Sequence, residues 1–175
     1  MKKSNKVVVI ALTVAMMIAV APAAFAASVT HLVSIVVNPT LSMTANTAAF
    51  TLTFPDYLQG TASNTQDVVY TVKANNVVNA APVSAKLDTL FPNVDLNAVP
   101  GAYTQVSGNG ILVPTAGGTI TTNGITLMNH TIANGTSGKT VRGSFPVTYQ
   151  AKANADLDPL TDSLQRTLTV TFADN

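Results

Sequence analysis

The chain has 175 residues, no cysteine and no tryptophan, and only 10% of its residues are charged. Without thiols, disulfides, thiolate metal sites and cysteine catalysis are excluded, so stability has to come from packing and strand pairing. The formal net charge of +1 conceals an asymmetry: Lys2, Lys3 and Lys6 open the chain and leave six basic residues against eight aspartates, so no basic stripe remains to meet nucleic acid or anionic lipid.

The first element predicted is a removable secretory signal over residues 1–26. A lysine-rich start is followed by an apolar run from Val7 to Val20 and closes on Ala24-Phe25-Ala26, which is the basic, apolar and small-residue order of such signals. The run is shorter than the roughly 20 apolar residues that cross a bilayer. Cleavage after Ala26 predicts a secreted chain, extracellular or at the cell surface, that starts at Ala27 and has no membrane attachment.

Residues 27–37 form the next element. Val29, Val33, Ile35 and Val37 share one face of an extended strand with His31 between them, and Leu32 and Val36 make the other face partly apolar. Such a strand expects cover on both sides. Two readings are open: it is the first strand of the chain's own sandwich, or it leaves its domain and completes the sheet of a neighbour. Burying four apolar side chains at about 1.5–3 kcal/mol each does not offset about 1–2 kcal/mol per residue for fixing nine backbones. Ladder hydrogen bonds must make up the difference, so the strand needs partners on both edges.

Residues 38–175 are predicted to be one domain. Glutamate is absent, and threonine and valine recur beside glycine, proline and asparagine, which favours strands joined by turns. Period-two patterns occur at Phe50, Leu52 and Phe54, at Val68, Tyr70 and Val72, and at Phe145, Val147, Tyr149 and Ala151, where Pro146 suggests an edge or a bulge. The clearest pattern is Leu164, Leu168, Val170 and Phe172 against Gln165, Thr167, Thr169 and Thr171. Turn signals stand at Asn75-Asn76, Pro100-Gly101, Gly108-Asn109-Gly110, Gly117-Gly118, Asn123-Gly124 and Asn134-Gly135, and a short helical turn is expected near residues 88–91. Seven or more short strands at this spacing predict an all-β fold, a single immunoglobulin-like β-sandwich, to which the second reading of residues 27–37 adds an N-terminal donor-type strand.

The layout resembles the secreted pilin-type domains of the spore coat U and chaperone-usher fimbrial group. The likeness is carried by the valine-rich strand ending at Pro39, by Leu41-Ser42-Met43-Thr44, Phe50-Thr51-Leu52-Thr53-Phe54, Tyr57 and the strand at 68–73, and by Leu168-Thr169-Val170-Thr171-Phe172. The cysteine pair common in that group is absent. Camelysin-like biofilm fibre proteins and cysteine-free filament subunits of thermophiles have a similar layout. The resemblance implies a sandwich that lacks one strand, supplied by the next subunit. Val29, His31, Val33, Ile35 and Val37 would then form the donor strand, and Leu164, Leu168, Val170 and Phe172 the strand bordering the acceptor groove.

Catalytic machinery is not evident. The chain holds two histidines, His31 and His130, no G-x-S-x-G turn and no glutamate, so neither a nucleophile with its base nor a carboxylate pair can be assigned. Asp156, Asp158 and Asp162 are spaced for a hard cation but lack the glycine and terminal glutamate of a calcium loop, and a solvated turn is the simpler reading. Asn129 and Asn134 begin N-x-Thr triplets, and Lys73 and Lys152 are conceivable isopeptide donors.

The expectation is therefore a non-enzymatic structural subunit of an extracellular filament, pilus or coat, with no cofactor or metal. Its partners would be other copies of itself, with a secretion chaperone as a further candidate and no nucleic acid. The alternative is a monomeric secreted adhesive or carbohydrate-binding sandwich, which the scarcity of aromatics disfavours.

Overall fold

The computed structural model describes residues 32–36, 40–77, 80–132, 139–158 and 164–173. The signal segment 1–26, Val29, His31, Val37, Asn134 and Asp162 lie outside the described residues. The chain divides into two units, Met1–Val37 and Asn38–Asn175. In the first, residues 32–36 form no strand, and Leu32, Val33, Ile35 and Val36 are exposed.

The second unit is all-β, with no helix among the described residues. Its strands are β1 (Leu41–Ala45), β2 (Ala62–Ala74), β3 (Pro82–Leu87), β4 (Val94–Pro100) and β5 (Thr104–Gly108), followed by β6 (Gly110–Pro114), β7 (Gly118–Thr119), β8 (Ile125–Ile132), β9 (Val141–Ala153) and β10 (Leu168–Phe172). They form two antiparallel sheets. One has the order β1-β2-β9-β4-β7, with β5 also on β9, and the other has the order β10-β3-β8-β6. The inward side chains of both sheets meet in one core, a β-sandwich arrangement.

The period-two patterns explain the core. Val68, Tyr70, Val72 and Ala74 of β2 face inward, opposite Val147, Phe145 and Val141 of β9 in the same sheet. Phe50 stacks on Tyr149 with ring centroids 5.0 Å apart, and Tyr70 stacks on Phe145 at 5.5 Å. The hydroxyls of Tyr70 and Tyr149 share a hydrogen bond of 2.8 Å in the interior, so neither phenol is buried without a partner.

Burial pushes both phenols above the ordinary value of 10.0, and the adjoining Tyr70 raises Tyr149 further. Because the folded state holds these protons more tightly than the unfolded chain, their contribution is complete below pH 10 and is lost as pH climbs above it. A thermal melt series from pH 8 to pH 12 should be flat at first and fall steeply above pH 10. The fall should be shallower in the Tyr70→Phe/Tyr149→Phe double variant.

Irregularities locate the exceptions to strict alternation. An extra residue in β2 between Ala62 and Thr65 leaves the Ala151 N–H facing a bulge, and the buried Ser63 Oγ accepts it at 2.9 Å. In β8 the register advances past Leu127, so Leu127 and Met128 are both buried although they are consecutive. Pro146, which by sequence suggests an edge or bulge, lies within β9, paired with Val69 of β2 on one side and facing the gap between β4 and β5 on the other. It is tolerated because β4 covers residues 147–153 and β5 covers 141–144. The chain passes between those two partners at Gly101, whose N–H donates to the Pro146 carbonyl at 2.8 Å. A proline therefore falls where no neighbouring strand needs an N–H donor.

Just beyond, β5 crosses tightly over β9. A Cβ on Gly143 would lie 2.3 Å from the Thr104 carbonyl oxygen and 2.6 Å from the Tyr103 ring. The helical turn expected near residues 88–91 is absent; that stretch is a bend followed by a turn at Pro92 and Asn93.

Candidate functional site

One margin of the sandwich is open. There β1 ends one sheet and β10 ends the other, and between them runs a groove of about 1240 Å³. One wall comes from β1 and the segment after it, with Met43, Phe50, Leu52 and Phe54. The facing wall comes from Leu164, Leu168 and Val170, and Val68, Tyr70 and Leu96 contribute to its lining.

The first wall follows from local sequence. Three asparagines fasten residues 40–53 to β2 by pairing a backbone bond with a side-chain one. Asn75 N–H donates to the Thr40 carbonyl while its Oδ1 accepts the Thr40 N–H. Asn46 does the same with Val69 at 3.0 and 2.9 Å, and Asn64 with Thr53 at 3.1 and 2.6 Å. Between the second and third clamps the chain forms no strand. The alternation expected at residues 50–54 survives nonetheless, with Phe50, Leu52 and Phe54 half-buried and Thr51 and Thr53 exposed. It is a strand-like segment without a ladder.

On the other wall β10 pairs with β3 alone, from Leu168 opposite Leu87 to Phe172 opposite Val83. Of the four residues read as bordering a groove, Leu164, Leu168 and Val170 line it, whereas Phe172 is buried in the core. Sequence reading missed Phe91, which also lines the groove and carries the Arg166 guanidinium 5.7 Å from its ring centre. Asp56 and Asp158 add carboxylates near that end.

The remaining sites read from the sequence are dispersed. His130 is fully buried in β8. Asp156 accepts the Gln59 N–H at 2.8 Å, a structural tie between loops. No group of three or more metal-binding side chains occurs among the described residues. Asn129 is exposed on β8, between Pro82 of β3 and Val113 of β6. Lys139 Nζ lies 3.4 Å from Asn76 Oδ1, whereas no bond joins Lys73 or Lys152 to an asparagine side chain among the contacts described.

No family model, curated protein or solved structure matches the chain. What defines its class is the architecture itself, two antiparallel sheets with an apolar groove along one margin.

Proposed function

We propose that the protein is a secreted, non-catalytic structural subunit that polymerises when residues 29–37 of one copy enter the open groove of the next. The groove between β1 and β10 carries this reading. A domain of this size normally buries apolar wall residues, yet here a long apolar channel is left between two sheet margins. An extended chain laid in it would meet β10 on one side and the ladderless segment at residues 50–54 on the other. That satisfies the requirement for partners on both edges, and the immunoglobulin-like sandwich would gain the strand it lacks. Leu32, Val33, Ile35 and Val36 are the exposed apolar counterpart.

The test uses a labelled peptide of residues 27–39 and the chain lacking residues 27–37. Saturable peptide binding, a raised melting temperature and filaments only from the untruncated chain are the expected results. A truncated chain that is monomeric, binds no peptide and binds glycans would support the monomeric adhesive module instead.

A further inference from the structure

The register of the strands sorts the charged residues to opposite ends of the second unit. At one end β2 finishes and β9 begins, and there Lys73 stands opposite Arg142, with Lys139 beside Asn76. All three side chains are exposed, and no described aspartate lies at this end. At the other end β2 and β4 begin and β3 and β9 finish.

That second end gathers Asp56, Asp88, Asp95, Asp156 and Asp158. Lys86, Lys152 and Arg166 partly offset them. Five carboxylates against three cations leave this end negative, and among the described residues the first end carries three cations and no carboxylate. Asp88, Asp95 and Asp156 hold their places through neutral donors, the Thr167 N–H, the Asn154 amide and the Gln59 N–H, so their charges are not cancelled by those bonds. Asp67, midway along β2, bonds to Thr148 and belongs to neither end.

Chain connectivity gives the asymmetry a direction. Leu41, the first residue of β1, pairs with Ala74 at the basic end, so whatever precedes the domain departs from there. Asp56, Asp158 and Arg166 line the groove at the acidic end. We infer that successive subunits meet end to end, the basic end of the strand-giving copy against the acidic end of the accepting one. The donor segment thus enters the groove from the side of Asp56 and Asp158. The inference rests on the strand-addition reading and adds its polarity and an electrostatic guide. Opposite ends of one chain complement each other, while like ends repel, so the contact is heterologous and generates an open polymer rather than a closed pair.

The experiment follows filament growth by light scattering, starting from full mature chain freed of polymer in urea and diluted at 20 and 500 mM salt. The expected initial rate is roughly tenfold higher at low salt, because steering of charged surfaces fades as the screening length shrinks. Lys139→Glu/Arg142→Glu turns the basic end net negative, so growth at low salt should slow by at least a similar factor and rise rather than fall as salt is added. Mixing it with Asp156→Lys/Asp158→Lys chain should restore the low-salt rate of the parent, which neither variant reaches alone.

The donor peptide separates this idea from the one beneath it. Its binding to the full-length Ile35→Asp protein, which accepts but does not donate, should be unchanged by Lys139→Glu/Arg142→Glu. Peptide binding together with growth indifferent to salt and to charge reversal overturns the end-to-end inference alone. Absence of peptide binding overturns both.

Discussion

Replacing Ile35 by aspartate is expected to abolish filaments while leaving the domain's melting temperature within about 2 °C of the parent. Ile35 is 84% exposed in a segment that forms no strand, so the substitution removes no packing within the chain, and exposed changes of this kind usually stay within about 0.5 kcal/mol. In the groove the same carboxylate would face Leu168, Val170 and the aromatic wall, where an unpaired charge costs several kcal/mol. Three kcal/mol already weakens subunit addition by roughly a hundredfold. Ser34→Asp, on the opposite face of the strand, should be much milder. Electron microscopy and sedimentation velocity read the outcome, and abundant filaments from the Ile35→Asp protein would refute strand addition.

Gly143→Ala is expected to cost about 3 kcal/mol or more, lowering the melting temperature by roughly 10 °C. The added methyl meets the Thr104 carbonyl oxygen at 2.3 Å and the Tyr103 ring at 2.6 Å. The ring can turn aside, but the carbonyl belongs to a β5 strand already bonded to β9. Tyr103→Ala in the same chain should therefore relieve only part of the loss, seen as a favourable coupling between the two substitutions in calorimetry. An unchanged melting temperature would mean that β5 is free to lift off β9.

How much of this could be read from the residues depended on whether neighbours on the pleat were also neighbours in purpose. Val68, Tyr70 and Val72 and the run from Phe145 to Ala151 announced β2 and β9, because both strands bury one face continuously. Phe50, Leu52 and Phe54 showed the same period yet form no strand, since Asn46 and Asn64 hold only the ends of that stretch and its apolar side faces the groove. Pro146 misled because the change of partner from β4 to β5 is a tertiary event. Leu127 and Met128 were illegible for a related reason, a bulge that puts consecutive side chains on one face. Leu164, Leu168 and Val170 line the groove between β1 and β10 and Phe172 does not, while the opposite wall was visible only as generic alternation. The separation of charge was hidden entirely, because each end of the domain is assembled from residues remote in the chain.

The clamps along β2 bear on how such a subunit would carry tension. Force applied upstream of Leu41 along the strand axis would not peel β1 away one pair at a time. The five pairs from Leu41–Ala74 to Ala45–Tyr70 run antiparallel to β2, and Asn75 and Asn46 close the two ends of that ladder. All of these bonds lie across the pull and share it in shear, so tension arriving at Leu41 would be passed to β2 by the whole ladder at once.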